Sequence, residues 1–124
     1  MSGARVLHHV EYLALTLVLF GAALAVRDEL GWAYWGFLLA PDVFGLLPAT
    51  LLGRAPARGY LPPRGVWLYN AWHTFTVPIL VGVVALLLLP IGSPWPVLGW
   101  LTHISIDRLL GFGLRGDDGG QAVF

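Results

Sequence analysis

The sequence predicts an all-α, four-helix transmembrane bundle that forms a single domain over residues 1–115, followed by a polar C-terminal tail over 116–124. Three observations support this fold class. The chain is 57% hydrophobic and only 11% charged, whereas soluble domains carry about 25% charged residues. It contains four apolar runs, each close to the roughly 20 residues that cross a bilayer as a helix. Turn-forming residues separate the runs, so each run ends where a membrane helix would leave the bilayer.

The four apolar runs give the predicted helices in chain order. The first is longer than the usual core of a signal peptide, so we expect it to be retained as a helix. Prolines fall inside the second and third helices, where a missing backbone N–H can kink a membrane helix. The predicted helices are 6–26, 32–52, 66–89 and 95–114, and the internal prolines are Pro41, Pro48 and Pro78.

The segments between the helices are short. Residues 27–29 form a polar turn, and 53–65 form a loop with three arginines and three prolines. Residues 90–96 form a turn rich in proline and glycine, without charge.

The distribution of arginine predicts the orientation in the cell (inner) membrane, because cytoplasmic segments carry an excess of positive charge. With a cytoplasmic N-terminus, five arginines flank the helices on that side and only Arg27 lies on the other. Both termini are therefore expected in the cytoplasm, in a multi-pass protein whose main partner is the lipid bilayer. The five arginines are Arg5, Arg54, Arg58, Arg64 and Arg115.

Composition also excludes some classes of function. The chain has no cysteine, which rules out disulfides, thiolate nucleophiles and iron–sulfur clusters built on cysteine. Its formal net charge is zero, so no overall positive field would attract nucleic acid.

Polar residues inside the predicted helices are the main functional signal, because ionisable groups in a membrane are costly and usually functional or paired. With a rise of about 1.5 Å per residue, all of them fall in the cytoplasmic half of the bilayer. His103 and Asp107 are four residues apart and share a helix face, as do Asn70 and His73, three apart. Helices that carry polar groups at a common depth most simply direct them at one another. These residues are Glu11, Asp42, Asn70, His73, His103, Asp107 and Arg108.

The charges of this group favour a bound cation. Its three carboxylates and one arginine leave a net charge of minus two if all are ionised, and buried charge must be neutralised by protons or by a cation. Imidazole and carboxylate are ordinary ligands of Zn, Fe or Mn, and bundle cores hold such ions between facing helices. Asn70 and Arg108 would orient the ligands. The predicted divalent-metal ligands are Glu11, Asp42, His73, His103 and Asp107.

The preferred hypothesis is a metal-binding membrane protein, and a metal-dependent hydrolase is the corresponding enzyme hypothesis. Glu11 or Asp42 is then the candidate general base for a metal-bound water. One alternative is a transporter or proton-coupled carrier, which would require a homo-oligomer because four helices are few for a pathway. Another is a structural or partner-binding protein with a buried polar network. Haem between His73 and His103 is disfavoured, because the nearby carboxylates suit a hard cation better.

Three motifs carry a family resemblance: APD at 40–42, YNAWHT at 69–74 with Pro78, and H-x-x-x-D-R-x-x-G-x-G-L at 103–114. Together with Glu11, they resemble a family of small bacterial membrane proteins catalogued as domain of unknown function 4260. The resemblance implies four transmembrane helices and no established activity. A looser similarity is to small bacterial inner-membrane proteins described as metal-dependent hydrolases, which supports the hydrolase hypothesis by analogy alone.

Overall fold

The structure is a computed structural model that describes residues 2–88 and 94–122. Within these residues all regular structure is helical and no strand is present, which confirms the all-α prediction. The α-helices are α1 (Gly3–Ala25), α2 (Gly31–Ala40), α3 (Leu47–Thr50), α4 (Val66–Trp72), α5 (Thr76–Leu88) and α6 (Leu98–Leu109). A π-helix spans Pro41–Leu46, and short 3-10 turns lie at Arg27–Glu29, Pro63–Gly65 and Trp95–Val97.

Helix α1 occupies the place of the predicted helix 6–26 and runs without interruption. The Ser2 hydroxyl begins it by accepting a hydrogen bond from the Arg5 backbone N–H at 3.3 Å, which satisfies a free donor of the first turn. Thr16, Leu19 and Ala23 are the buried residues of the helix. They form one narrow stripe, so most of the surface of α1 is left without protein contact.

The predicted helix 32–52 is one helical stretch from α2 to α3, but its middle is a π-helix. Pro41 begins this π segment, where its ring removes a backbone donor and disturbs the α-helical bonding of the preceding turn. At the end of the segment the Leu47 N–H donates to the Asp42 carbonyl, five residues back. Asp42 therefore lies in a widened turn, and such turns occur frequently at functional sites.

The predicted helix 66–89 is broken at residues 73–75 into α4 and α5. His73 ends α4 with φ −114° and ψ 16°, outside the α-helical region. The Thr74 hydroxyl accepts a hydrogen bond from the Thr76 N–H at 3.4 Å, at the start of α5. Pro78 lies in the first turn of α5, where an α-helix needs no donor from it. The third predicted helix is thus two helices with different axes. Its last residue, 89, lies outside the described residues.

The predicted helix 95–114 is shorter in the structure, because α6 ends at Leu109. Beyond α6 the chain turns at Gly111, whose φ is 94°. Arg115 and Gln121 then form an isolated antiparallel bridge, and the Gly116 N–H donates to the Gly120 carbonyl at 2.8 Å. Residues 113–122 therefore form a hairpin, where the sequence suggested only a polar tail. Residues 90–93 of the predicted turn and the last two residues of the chain lie outside the described residues.

Helix α6 lies between α1 and α2 and packs against both. A core cluster joins the three helices through Leu19, Ala23, Tyr34 and Leu98. Gly99 permits the close approach of α6 to α2, because a Cβ at this position would lie 2.2 Å from the Tyr34 carbonyl oxygen. The absence of a side chain at Gly99 thus brings the polar end of α6 against the end of α2.

The structure gives limited support to the predicted transmembrane topology. By length and composition, α1 is long and apolar enough to cross a membrane. Pro63–Trp72 and Thr76–Leu88 would supply a second span if the two halves act as one, but they are bent by 44° at the break. No other helix in the described residues passes the same test.

Candidate metal centre

Four of the predicted ligands meet at one place. Asp42, His73, His103 and Asp107 each offer one ligand atom, and these atoms all lie within 4.8 Å of one another. Asp42 comes from the π segment, His73 from the end of α4, and the remaining two from α6. The cluster therefore forms only when three separate parts of the chain pack together.

A close contact between the π segment and α4 brings Asp42 to His73. Gly45 allows it, because a Cβ at this position would lie 2.7 Å from the Cβ of Trp72. Trp72 immediately precedes His73, so the contact fixes the end of α4 against the widened turn. The indole N–H of Trp100 on α6 donates to the Trp72 carbonyl at 2.8 Å and ties α6 to the same point.

Both imidazoles are oriented by backbone carbonyls. His73 Nδ1 lies 2.8 Å from the Tyr69 carbonyl oxygen, and His103 Nδ1 lies 2.7 Å from the Leu38 carbonyl oxygen. A carbonyl oxygen can only accept, so in each neutral ring Nδ1 carries the proton and Nε2 carries a lone pair. Metal-binding histidines are commonly held in this way.

The two Nε2 atoms face the two carboxylates. From His73 Nε2, Asp42 Oδ1 lies at 3.4 Å and Asp107 Oδ2 at 3.6 Å. From His103 Nε2, the same two oxygens lie at 3.4 Å and 3.2 Å. Among the described residues His103 Nε2 nevertheless has no hydrogen-bond partner and is buried, so the short distance to Asp107 reflects proximity without hydrogen-bond alignment. Four acceptor atoms converge here, which is unfavourable unless a cation or protons lie among them.

The protein-family comparison gives a match over almost the whole chain. The model described as Domain of unknown function (DUF4260) matches residues 5–123. The chain belongs to the DUF4260 family. This confirms the resemblance carried by the three sequence motifs, and the family description supplies no reaction. No curated protein matches the chain, and no solved structure matches it either.

Glu11, the fifth predicted ligand, is not part of the four-residue group in this DUF4260 protein. It lies on α1 and is exposed, away from the stripe of Thr16, Leu19 and Ala23 that α1 buries. Its direction around the helix axis therefore differs from the one that the sequence suggested.

Arg108 and Asn70, predicted to orient the ligands, have different positions. Arg108 is buried, and its guanidinium donates to the His73 carbonyl at 2.9 Å, so it contacts the backbone of a ligand. Asn70 forms a pair of hydrogen bonds with the backbone of Arg115: its amide donates to the carbonyl at 2.9 Å, and its oxygen accepts from the N–H at 2.7 Å. Asn70 therefore holds the start of the C-terminal hairpin.

Sequence reasoning missed Tyr69 and Leu38, whose carbonyls orient the imidazoles. The Tyr69 ring also stacks on His73, with centroids 3.9 Å apart and planes 10° apart. The spacing of Tyr69 four residues before His73 is compatible with this stacking on α4. No comparable signal marks Leu38, because its carbonyl meets His103 only through the packing of α2 and α6.

The cluster is open on one side. The side chains of His73 and His103 are 3% and 11% exposed, and that of Asp107 is 23% exposed, whereas that of Asp42 is 51% exposed. An ion held by the four residues would therefore be enclosed by imidazoles and reachable past Asp42.

Proposed function

We propose that this DUF4260 protein is an integral membrane protein that binds a divalent metal ion, Zn, Fe or Mn, between Asp42, His73, His103 and Asp107. One observation carries the proposal. His103 Nε2 is buried, has no hydrogen-bond partner in the part of the chain that the structure describes, and faces two carboxylate oxygens. The Nδ1–H of the same ring donates to the Leu38 carbonyl. A neutral His103 therefore presents the lone pair of Nε2 to the centre of the cluster.

The spacing of the ligand atoms supports a small ion. Bonds of about 2.0–2.1 Å to Zn place tetrahedral ligand atoms about 3.3–3.4 Å apart. The four imidazole–carboxylate distances lie between 3.2 and 3.6 Å. These four distances match such bond lengths, and because the ligand atoms as a set lie within 4.8 Å of one another, the cluster would contract as it binds one ion.

The charge of the cluster supports the same proposal. Two carboxylates and two neutral imidazoles carry a charge of minus two, which a divalent ion would balance. Two imidazolium ions would balance it as well, and this purely structural alternative is what metal analysis must exclude.

Exposed apolar side chains support the membrane location. In soluble monomers, contiguous apolar patches larger than a few hundred Å² are rare and mark interaction sites. Leu17, Val18 and Leu24 on α1 are 62–65% exposed, and Leu86, Leu87 and Leu88 on α5 are 66–73% exposed. Lipid would cover these surfaces. The proposal also includes three predictions made from the sequence: four membrane spans, cytoplasmic termini and a homo-oligomer.

The exposure of Asp42 favours a hydrolase over a purely structural ion. A bound divalent ion can activate water or polarise a substrate oxygen, and the open side at Asp42 would admit both. Asp42 would serve there as a ligand or as the general base, since it is the one member of the cluster with half of its side chain exposed. Glu11, the other candidate base, lies outside the four-residue group.

Metal analysis of the purified protein tests the proposal. We expect about one Zn, Fe or Mn per chain from elemental analysis of detergent-purified protein, and loss of that metal in the double variant His73→Ala, His103→Ala. The double variant His8→Ala, His9→Ala is the matched control, because it removes the same number of imidazoles outside the cluster.

The outcomes separate the alternatives. A wild-type protein that stays metal-free after incubation with each ion, yet keeps its fold, would defeat the proposal and leave the polar network as a structural feature. Equal metal loss in both double variants would place the ion elsewhere. For the hydrolase part, metal-loaded protein is assayed on ester and phosphoester substrates, with Asp42→Asn as the inactive variant.

A further inference from the structure

We infer that a pocket after α3 binds the phosphate of an anionic phospholipid, and that the lipid chain lies along α2 and α3 past the open side of the metal cluster. The inference rests on the proposed membrane location and does not require a bound metal. The pocket has a volume of about 320 Å³, and no acidic residue lines it. Its lining residues are Leu52, Gly53, Arg54, Pro62, Pro63 and Arg64.

Backbone contacts hold the walls of this arginine pocket in place. The Gly65 N–H donates to the Pro62 carbonyl at 2.9 Å, and the Leu61 N–H donates to the Gly119 carbonyl at 2.9 Å. Gly65 also packs so closely on α3 that a Cβ there would lie 2.3 Å from the Ala49 carbonyl oxygen. These contacts fix the wall that carries Arg64 both to α3 and to the C-terminal hairpin. On the other wall, the Leu52 N–H donates to the Ala49 carbonyl at 3.3 Å, two residues before Arg54.

The chemistry of the pocket selects a phosphate. Within the described residues, no hydrogen bond or ion pair holds the guanidinium of Arg54 or Arg64. The guanidinium group binds phosphate oxygens in a bidentate manner. Two such groups beside a space of this size form a site for an anion of headgroup dimensions.

An apolar stripe beside the pocket distinguishes a lipid from a free phosphate. Leu39, Val43, Leu47 and Leu51 recur every four residues and are 61%, 46%, 59% and 83% exposed. The stripe ends one residue before Leu52 of the pocket. At about 1.5 Å per residue it extends about 18 Å, similar to one leaflet of a hydrocarbon core, about 15 Å. The surface therefore matches a ligand with an anionic head and a long chain.

The stripe also passes the metal cluster. Asp42 lies between Leu39 and Val43 in the chain, and it is the cluster residue with the greatest side-chain exposure. A lipid held at Arg54 and Arg64 would bring its chain past that exposed carboxylate. The acyl chain, and not the head group, would then lie beside the cluster.

Native mass spectrometry of the full chain tests the inference. The protein is released from detergent micelles with dioleoyl phosphatidylglycerol, dioleoyl phosphatidylcholine or inorganic phosphate. We expect one phosphatidylglycerol to bind with preference over phosphatidylcholine. The double variant Arg54→Gln, Arg64→Gln should weaken it about tenfold or more, since the charge-assisted bonds of the two guanidinium groups to the phosphate are lost.

The matched control is Arg5→Gln, Arg58→Gln, which removes the same charge from the same predicted side outside the pocket and should retain binding. Equal loss in both double variants would overturn the inference, because the effect would then be general charge. Equal binding of phosphatidylcholine, or phosphate binding as tight as that of the lipid, would also overturn it.

Membrane fractionation tests the proposed membrane location separately from the lipid site. A chain recovered in the soluble fraction would refute the membrane location and the lipid site together. A membrane-embedded chain that shows no lipid preference would refute the lipid site alone.

Discussion

Helix α1 and the segments that carry the metal ligands are built from similar apolar residues but differ in continuity. α1 runs through Gly3–Ala25 without a break. The second predicted helix widens into the π segment at Pro41–Leu46, and the third breaks after Trp72. Asp42 lies in the first interruption and His73 at the second, whereas α1 contributes no residue to the cluster.

The comparison shows where an apolar chain can place polar chemistry. An unbroken helix satisfies its backbone bonds internally and has only side chains to offer. At the two interruptions, backbone carbonyls accept hydrogen bonds from side chains of α6. In this protein Arg108 donates to the carbonyl of His73 at the break, and His103 donates to the carbonyl of Leu38 just before Pro41.

The largest expected effect comes from separating α6 from the interrupted helix α2. In Gly99→Ala, the new Cβ would lie 2.2 Å from the Tyr34 carbonyl oxygen and 3.0 Å from the Leu38 nitrogen. We expect the free energy of unfolding to fall by about 1–3 kcal/mol, as overpacked sites show. Metal binding should weaken too, because His103 lies one turn further along α6 and bonds to Leu38. Thermal unfolding in detergent and Zn²⁺ titration measure the two effects.

Gly36→Ala is the control for this variant. Gly36 lies in α2, and an added Cβ would meet no atom within 4 Å. Alanine favours an α-helix over glycine by up to about 1 kcal/mol, so Gly36→Ala should be neutral or stabilising. Equal destabilisation by the two variants would show that the close contact of α6 with α2 is not what holds the cluster together.

A smaller effect on metal binding is expected when the His73 carbonyl loses the hydrogen bond from Arg108. Arg108→Gln should weaken metal binding about tenfold, the lower end of the range for residues that orient ligands. Arg27→Gln is a matched control, since Arg27 also donates to a backbone carbonyl at 2.9 Å, that of Leu24, but belongs to the turn after α1. Zn²⁺ competition titrations on both variants compare the two positions, and similar affinities would remove Arg108 from the set of orienting residues.

Asn70→Ala tests whether the C-terminal hairpin is independent of the metal cluster. The variant loses both hydrogen bonds to the Arg115 backbone, at a cost of about 1–2 kcal/mol. Hydrogen exchange should accelerate over residues 113–122, while Zn²⁺ affinity stays unchanged. The opposite pattern, weaker Zn²⁺ binding with unchanged exchange in the hairpin, would restore the ligand-orienting role that the sequence suggested for Asn70.

The sequence predicted the helical class and the convergence of Asp42, His73, His103 and Asp107, because both follow from composition and spacing along one axis. Level does not determine direction, which is why Asp42 and His103 meet while Glu11 lies on the exposed side of α1. The kink expected from Pro78 occurs as the break at residues 73–75, which includes Thr74, four residues before the proline. The place of His73 at that break also depends on a partner distant in the chain, Arg108. The hairpin was missed for a similar reason: its contact with Leu61 is tertiary.

The smallest expected effect lies on the continuous helix. The Thr16 hydroxyl of α1 and the Ser105 hydroxyl of α6 lie 2.6 Å apart, and both residues are buried. Interhelical hydrogen bonds in membrane proteins contribute about 0.6 kcal/mol on average, so Thr16→Val should lower the free energy of unfolding by about that amount and leave Zn²⁺ affinity unchanged. Thr50→Val is the control, because the Thr50 hydroxyl is exposed and donates within its own helix to Leu47. A loss of Zn²⁺ affinity in Thr16→Val alone would show that α1 positions the cluster through α6, and the division between a continuous supporting helix and interrupted ligand-bearing helices would then be wrong.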